Sequence, residues 1–428
     1  MREIFKVPGF FVRGSENVSL TSLQKEYIMK RTNGLTTVLT LILLLLFAEC
    51  VPCQAGETRG VTDDTILIGE IADMTGPASN LEIPYVEAQR NYFRWINEQG
   101  GIHGRKIKLL VEDERYSIPL AVAAFKKLVY KDKVFCIIGP GGTGQHTALF
   151  NHFEKLKMPS FAITISETMW VPYKRYVFPP AGSYSDFIGV AYDYIMKDLK
   201  LKEPKIAIVR PDTEGGKVCA AAAEKAAKSH HLKLYQEYLA VGAIDASSQV
   251  LGLKRRGVNN VLISAITTGE AALVMRIGKR FQYYPNVFGI HYACGDEAIG
   301  MAGDSAKNYY GIHAYSTWDE DTSEMSKLRK ITMKYHPASK PRIIVYQQGW
   351  YWGKVISEGI KRAGRDLDGE KLINTLETFR DFDTGGISGP ITFTPQSHKA
   401  TNYCKIFKTE INKRKLIPVT AWMKPAEK

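Results

Sequence analysis

Hydrophobic and polar positions follow two different periods along the chain from Thr65 onward. Short apolar runs, among them TILIGEI, KIKLLV, VFCIIG, KIAIVR, NVLISA and NVFGI, have the length of buried strands. Between these runs, apolar residues recur at helical spacing over 82–99, 118–131, 183–200, 216–230, 247–256 and 269–280. Apolar strands separated by amphipathic helices are typical of parallel sheets that helices cover on both faces. The pattern therefore predicts an α/β protein with doubly wound parallel sheets.

The pattern turns helical after Asp321 and then ends in extended segments. Helices are predicted over 321–335, 346–363 and 368–379, and the extended segments are GPITFTP and YCKIFKTEI. About 370 residues exceed what one hydrophobic core serves, yet no low-complexity linker divides them. We therefore expect two lobes that exchange segments. Lobe 1 is predicted to comprise 61–180 and 317–390, and lobe 2 to comprise 181–316 and 391–424.

Residues 1–55 have the pattern of a leader with a secretory signal peptide. Two basic residues follow Met29, and a leucine-rich run then ends in CQA, a small-x-small cleavage pattern. We take Met29 as the start and expect export. The alternatives are a membrane anchor over 32–48, where four threonines lower the hydrophobicity, and a lipid on Cys50, which a preceding glutamate disfavours.

Composition excludes several classes of function. The formal net charge is +13, but the lysines and arginines are scattered, which indicates a solvated basic surface and not a nucleic-acid site. No C-x-x-C pair, H-E-x-x-H, G-x-S-x-G or P-loop motif follows the leader. We therefore expect no enzyme activity, no cofactor and no metal site. The four cysteines beyond the leader stand far apart, and export permits disulfides without indicating any: Cys136, Cys219, Cys294 and Cys404.

The stretch VFCIIGPGGTGQ imitates a dinucleotide-binding turn. Gly139, Gly141 and Gly144 fit G-x-G-x-x-G after a strand, and Glu167 follows near the distance at which an acid meets a ribose. The same geometry also suits other anions, because free N–H groups at a helix start attract any anion that reaches them. A dinucleotide grip, an anion cradle and a tight structural turn are the three interpretations.

Four longer motifs resemble the periplasmic leucine/isoleucine/valine-binding family, the type I solute receptors of ABC importers. They are TGPASN, INEQGGIHGRKIKLLVEDE, AVAAFKKLVYKDKVFCIIGP and GGISGPITFTPQSHK, in that order. The resemblance extends over 65–417. It implies two doubly wound lobes joined by three crossover strands, with hinge closure near 179–182, 313–317 and 389–393.

The resemblance also implies which residues meet a ligand's carboxylate. The glycine turn follows the third strand and not the first, so the resemblance favours the anion cradle over the dinucleotide grip. Thr143 holds the hydroxyl position of this cradle, and Gly142 offers its N–H at the helix start. On the second cleft loop, AITISET, Thr164 is expected as a backbone contact and Ser166 as a second hydroxyl contact.

The ammonium end of the family's site is not kept in this sequence. Leu81, Gly215 and Thr267 stand where leucine receptors carry aromatic residues, and His291 stands where they carry the glutamate that pairs with the ligand's ammonium. The acids that could replace that glutamate are Glu82, Glu270 and Asp296. Because His291 would not pair with an ammonium, we expect a carboxylate ligand that is larger or less cationic than leucine. Apolar walls are also available from aromatic residues for which core packing is the alternative: Trp170, Trp350 and Trp352.

These implications converge on one expected function. The protein is expected to be a periplasmic solute-binding protein that closes on a small carboxylate-bearing ligand, an amino acid or related organic acid. It would deliver this ligand to the transmembrane subunits of an ABC permease, as a monomer without nucleic acid and without stable membrane insertion after signal removal. The alternative is a ligand-sensing receptor of the same fold that acts on a signalling partner.

The leader generates the first testable prediction. Because the signal pattern begins at Met29 and ends in CQA, the secreted protein should begin near Gly56. Amino-terminal sequencing of the secreted form measures this. A mature start at Cys50 carrying lipid, or a retained apolar segment, would contradict the prediction.

Overall fold

Two β-sheets organise the part of the chain that the computed structural model describes, residues 58–338 and 342–426. The predicted leader over 1–55 lies outside these residues. The strands of the first sheet are β1 (Thr65–Ala72), β2 (Lys106–Asp113), β3 (Cys136–Ile138), β4 (Ser160–Phe161) and β5 (Val177–Phe178). They lie in the order β2-β1-β3-β4-β5, and every neighbouring pair is parallel.

The second sheet has seven strands. They are β6 (Ile206–Arg210), β7 (Leu234–Tyr238), β8 (Asn260–Ile263), β9 (Asn286–Ile290), β10 (Tyr309–His313), β11 (Lys405–Glu410) and β12 (Lys415–Pro418). Their order is β12-β11-β10-β9-β8-β6-β7. The pairs among β6 to β10 are parallel, whereas β11 and β12 join the edge in antiparallel fashion. The last two strands therefore close the second sheet with chain that arrives from the far end of the sequence.

Helices connect these strands. They are α1 (Ser79–Glu98), α2 (Ile118–Lys126), α3 (Thr143–Thr147), α4 (Phe150–Leu156), α5 (Tyr184–Lys197), α6 (Glu214–Ser229), α7 (Ser247–Arg255), α8 (Thr268–Arg280), α9 (Asp296–Ala302), α10 (Ser323–Tyr335), α11 (Ile344–Ala363) and α12 (Gly369–Leu376). None of these helices is both long enough and apolar enough to cross a membrane, within the residues described.

The predicted parallel α/β architecture is confirmed, with one local error. Strands β6 and β8 are buried along their whole length, as expected of strands covered on both faces. The predicted extended segment GPITFTP forms isolated bridges, such as Phe382 to Ile391, and no strand. Pro390 and Pro395 explain the difference, because proline has no N–H to donate to a sheet ladder.

The chain passes between the two sheets in the regions where the hinge crossings are predicted. It leaves the first sheet after β5 and enters α5, which packs on the second sheet. It leaves β10 for α10 and α11, which pack against α1 beside the first sheet. It then returns to the second sheet at β11. The exact lobe boundaries stay a prediction.

Close packing of α1 against α11 stabilises this side of the molecule. A Cβ atom at Gly349 would lie 2.1 Å from the main-chain oxygen of Tyr85, so the two helices touch through a glycine. Two tryptophans of α11 are buried and hydrogen-bonded: the Trp350 indole donates to Glu324 at 2.9 Å, and the Trp352 indole donates to the Ala162 carbonyl at 2.9 Å. Both tryptophans therefore belong to the core and not to a ligand wall.

The glycine contact gives a stability prediction. Gly349→Ala should destabilise the fold by about 1–3 kcal/mol, because the added methyl group collides with main chain that cannot rotate away. The matched control is Gly300→Ala, at an exposed position of helix α9, where nothing lies within 4 Å of the added methyl group and alanine favours the helix. Urea unfolding compares the two variants. Equal midpoints for Gly349→Ala and wild type would contradict the packing assignment.

Candidate functional site

A cavity lies where loops from both sheets meet. In the first sheet, β1 has β2 on one side and β3 on the other, and the loops that follow β1 and β3 both line the cavity. In the second sheet, β6 lies between β7 and β8, and the loops that follow β6 and β8 line the opposite wall. Ligands of open α/β sheets bind at such switch points, outside the carboxyl ends of the strands. The space that the centres of water molecules can reach is about 50 Å³, within about 610 Å³ between the surrounding atoms that includes open solvent.

Most of the residues predicted from the sequence line this cavity. Those that do are Leu81, Glu82, Gly142, Thr143, Thr164, Gly215 and Thr267. Ser166 and His291 are not among the lining residues. Several lining residues were missed by the sequence analysis, notably Tyr85, Tyr116, Tyr184, Tyr292 and Gln348.

The turn after β3 presents unpaired main-chain donors. The N–H groups of Gly141, Gly142 and Thr143 have no hydrogen-bond acceptor within the described residues. The Thr143 hydroxyl is hydrogen-bonded to the Thr164 hydroxyl at 2.8 Å, which links the two predicted cleft loops. Unpaired N–H groups and hydroxyls that converge on one space are suited to the oxygens of a carboxylate.

The absence of side chains at two glycines of this turn leaves room for neighbouring side chains that approach the main chain closely. A Cβ atom at Gly141 would lie 1.8 Å from a carboxyl oxygen of Glu82, and one at Gly142 would lie 2.0 Å from Oε1 of Gln145. The glycines therefore leave room for Glu82 and Gln145. This turn follows the third strand of its sheet, whereas a dinucleotide-binding turn follows the first strand.

Four helices direct their amino termini toward the cavity. The residues that precede or begin α1, α3, α6 and α8 all line it: Ala78, Gly142, Thr213 and Thr267. The amino terminus of a helix carries a partial positive charge and favours anions. None of the lining residues, all within the described chain, is Lys, Arg or His. The positive potential in the cavity therefore comes from the backbone.

Glu82 is the carboxylic acid in the cavity lining. Its side chain is 5% exposed, and Oε2 accepts a hydrogen bond from the Asp73 main-chain N–H at 2.6 Å. Burial, followed by the charge of Glu114, raises the pKa of Glu82 well above its ordinary value. This shift favours the protonated form of the Glu82 carboxyl. A cation placed beside it would favour the carboxylate form.

Two further buried acids lie behind Glu82. Burial raises the pKa of Glu70 to about 8 and that of Glu114 to about 8. The amide of Gln89 donates to Glu70 at 3.0 Å, while Glu70 Oε2 and Glu114 Oε1 have no partner among the described atoms. The loop that leads into α1 is held by Asp73, which accepts from the Ala78 N–H at 2.7 Å.

His291 does not reach the cavity. It is fully buried, its Nε2 lies 3.1 Å from Oε1 of Gln348, and its ring stacks on His313 with 4.3 Å between centroids. Its φ of 51° is left-handed, at the start of the short 3-10 turn that follows β9, and this turn brings the next residue, Tyr292, to the cavity. Burial lowers the pKa of His291 to about 3, so the ring is neutral.

The expectation of a ligand less cationic than leucine depends on His291 lying in the cleft. Because His291 lies outside the cavity, this expectation loses its basis. Tyr292 lines the cavity in its place and donates to the Ile163 carbonyl at 2.6 Å. The signal that could have identified it is its position directly beside His291 at the carboxyl end of β9.

Ser166 has a structural position next to the cleft loop. Its hydroxyl accepts from the Thr168 N–H at 3.4 Å and caps a 3-10 turn over Glu167–Met169. A second hydrogen bond of 2.9 Å joins it to the Thr168 hydroxyl. These local partners direct its side chain away from the cavity, whereas Thr164, two residues earlier, lines it.

The two other candidate acids have structural partners. Glu270 completes a capping box with Thr267 at the start of α8 and accepts the Gly242 N–H at 2.5 Å. Asp296 accepts the Leu416 N–H at 2.6 Å, which joins α9 to the edge strand β12. Neither lines the cavity. Among the three candidates, Glu82 is therefore the one in position to meet a ligand.

The described residues contain no group of three or more His, Cys, Asp or Glu side chains that could hold a metal ion. The cysteines beyond the leader are all buried and unpaired. Their burial raises the pKa of each thiol, which keeps the thiols protonated.

Comparison with known proteins identifies the family of this fold. A family model described as periplasmic binding protein matches residues 65–415, which confirms the resemblance found in the motifs. The Leu/Ile/Val-binding protein homolog 3 of Brucella melitensis is 23% identical over 366 residues, covering 81% of this chain and 92% of the relative. The Leu/Ile/Val/Thr-binding protein of Salmonella typhimurium is 28% identical over 247 residues, covering 56% of this chain and 59% of the relative.

Solved structures share the architecture. A branched-chain amino acid ABC transporter protein from Thermus thermophilus with bound valine superposes with a TM-score of 0.78, at 22% identity, covering 85% of this chain and 97% of that one. A fatty acid ABC transporter substrate-binding protein from Thermomonospora curvata has a TM-score of 0.79, at 21% identity, covering 88% and 96%. At these identities the likeness establishes the fold.

The buried acids generate a pH prediction. Between the ordinary pKa of an unfolded glutamate, about 4.3, and the raised pKa of Glu70, the folded protein holds a proton that the unfolded chain releases. The free energy of unfolding should therefore fall as pH rises through this window. Glu70→Gln should reduce that fall by on the order of 2 kcal/mol. Urea unfolding at about pH 5 and about pH 8 measures it, and parallel profiles for wild type and variant would contradict it.

Proposed function

Because the chain belongs to the periplasmic binding protein family, we propose that it is an exported solute-binding protein that closes on a small carboxylate-bearing ligand and delivers it to an ABC importer. Binding, without chemical conversion of the ligand, is the proposed activity. The observation that carries the proposal is the set of unpaired N–H groups at Gly141, Gly142 and Thr143, which face the cavity between the two sheets.

The ligand's carboxylate occupies this turn. The three N–H groups and the Thr143 hydroxyl donate to its oxygens, and the helix amino termini around the cavity supply further positive potential. The Thr164 hydroxyl, already hydrogen-bonded to Thr143, orients that hydroxyl for donation. A carboxylate is favoured over a larger anion because the donors lie on one short turn.

The ligand's ammonium group, in this proposal, pairs with Glu82. An ammonium beside this carboxyl lowers its pKa and so offsets the effect of burial, which favours the charged form of Glu82. The apolar part of the ligand contacts Leu81, Tyr85 and Tyr292, which form the aliphatic and aromatic wall. The ligand class that satisfies all three requirements is an α-amino acid with an apolar side chain.

The names of relatives agree with this class. The Brucella relative is named for leucine, isoleucine and valine, the Salmonella relative for these three and threonine, and the Thermus structure holds valine. The Thermus and Thermomonospora structures are both described as ABC transporter proteins, which supports delivery to an importer. The Thermomonospora protein is named for fatty acids, so a carboxylate without an ammonium is the alternative ligand.

Mass spectrometry of the small molecule that co-purifies with the protein tests the proposed ligand class. An amino acid is expected, and a fatty acid would retain the carboxylate assignment while removing the role of Glu82. A co-purified ligand without a carboxylate would contradict the proposal.

A substitution pair tests the carboxylate contact. Thr143→Ala should weaken the binding of leucine by about 1.5–3 kcal/mol, or about ten- to a hundredfold, because a charge-assisted hydrogen bond is lost. Ser166→Ala is the matched control, since its hydroxyl has only local partners. Titration calorimetry measures both variants, and equal losses in both would mean that the effect is structural.

A second pair of ligands tests Glu82. Glu82→Gln should weaken the binding of leucine at least tenfold and leave 4-methylpentanoate, its deaminated analogue, within about threefold, because only leucine carries the cation. Calorimetry at neutral pH provides the comparison. Equal changes for both ligands would contradict an ammonium contact at Glu82.

A further inference from the structure

The main-chain carbonyl of Ile163 joins the second sheet to a loop of the first. It accepts hydrogen bonds from two side chains, the Tyr292 hydroxyl at 2.6 Å and the Gln348 amide at 2.7 Å. Tyr292 belongs to the turn that follows β9 of the second sheet, whereas Gln348 belongs to α11, which packs beside the first sheet. Ile163 lies on the loop that follows β4. A carbonyl oxygen has two lone pairs, so these two donors use its full capacity.

His291 fixes the orientation of the Gln348 amide. The amide nitrogen donates to Ile163, so its Oε1 is left to accept from Nε2 of His291, 3.1 Å away. The buried His291 ring is held in turn by stacking on His313, the last residue of β10 in the second sheet. Two consecutive residues of the second sheet therefore hold a hydrogen-bonded pair beside the first sheet. We call this set the Ile163 bridge: His291, Tyr292, Ile163 and Gln348.

The Ile163 bridge adjoins the loop residue that orients the carboxylate-binding hydroxyl. The peptide group that contains the Ile163 carbonyl also contains the nitrogen of Thr164, and this group is planar, so holding the carbonyl holds the start of Thr164. The Thr164 hydroxyl is hydrogen-bonded to the Thr143 hydroxyl at 2.8 Å and accepts from the Ser166 N–H at 3.3 Å. Rotation of the peptide group would turn the Thr164 side chain away from Thr143.

The polar atoms of the bridge are used by the protein itself. Gln348 and Tyr292 both line the cavity. The oxygen and nitrogen of the Gln348 amide each have a protein partner, and the Tyr292 hydroxyl donates its single hydrogen to Ile163. These contacts favour an indirect role for both side chains, in which they hold the cleft loop.

We propose that Gln348 and Tyr292 are positioning residues for the carboxylate site and that they act through the Ile163 carbonyl. With the bridge formed, the second sheet holds the cleft loop of the first sheet in the conformation that receives the ligand. Either donor alone keeps the carbonyl paired, whereas loss of both leaves a buried carbonyl without a partner and frees the loop. This inference rests on the proposed function, because it acts on the same carboxylate contact.

Titration calorimetry of the secreted form with leucine tests the paired role of the two donors. Bound ligand is first removed by unfolding, dialysis and refolding. Tyr292→Phe keeps the ring in the cavity wall and Gln348→Met keeps the length of the side chain, so each variant should weaken binding only about twofold. The double variant should weaken binding about twentyfold or more, far beyond the product of the two single effects. Independent contacts with the ligand would give losses that simply multiply.

A second cycle tests whether the bridge acts through the Thr143 hydroxyl. Thr143→Ala removes that hydroxyl and leaves nothing there for the bridge to orient. In the Thr143→Ala background, loss of both donors should weaken leucine binding less than about threefold, compared with about twentyfold or more in the wild-type background. A structural effect that is independent of the hydroxyl would weaken binding equally in both backgrounds.

Hydrogen exchange measures the cleft loop in the single variants and does not require the double variant to fold. The Ser166 N–H, which donates to Thr164, should exchange about twofold faster in ligand-free Gln348→Met than in wild type. Tyr346→Phe is the matched control, because Tyr346 is a buried residue of the same helix whose hydroxyl pairs with Thr332 at 2.8 Å and which does not line the cavity. It should change neither exchange at Ser166 nor the binding of leucine.

The outcomes separate this inference from the proposed function. If the double variant loses only the product of the single effects, or loses as much in the Thr143→Ala background, the positioning role is wrong and the proposed function stands. Unchanged exchange at Ser166 in Gln348→Met, or weaker leucine binding by Tyr346→Phe, also overturns the positioning role. If neither leucine nor 4-methylpentanoate binds to the wild-type protein, the proposed function fails and this inference fails with it.

Discussion

The site depends on one constraint of parallel sheets, the reversal of strand order. In each sheet, two neighbouring strands send the chain to helices on opposite faces, so the loops at their carboxyl ends separate and leave a crevice. In this molecule the crevice beside β1 and β3 faces the crevice beside β6 and β8. The helices that follow these strands begin at the same place. The fold thereby concentrates backbone N–H groups around one cavity before any side chain is considered.

The side chains that line the cavity then determine which ligand binds beside these N–H groups. The lining has no basic residue within the described chain, so the donors to an anion are main-chain N–H groups and hydroxyls. Glu82 supplies the opposite property, because it is a buried acid whose pKa burial raises and a nearby cation would lower. Tyrosines and aliphatic residues occupy the remaining surface. A ligand with a carboxylate, a cationic or donor nitrogen and an apolar part satisfies these three surfaces together.

The fold and one wall of the site could be predicted from the sequence because both depend on local patterns. The predicted helix over 216–230 corresponds to α6, Glu214–Ser229, and the glycine turn after β3 lines the cavity as expected. The opposite wall depends on geometry that periodicity does not contain. A left-handed φ at His291 brings Tyr292 to the cavity.

A crystal structure of the protein with its co-purified ligand tests the central claim most directly. The account predicts that a carboxylate of the ligand lies within about 2.7–3.2 Å of the main-chain nitrogens of Gly142 and Thr143. It also predicts that the ligand's nitrogen faces Glu82. A ligand whose carboxylate lies against another wall of the cavity, or a ligand bound outside the space between the two sheets, would contradict the account.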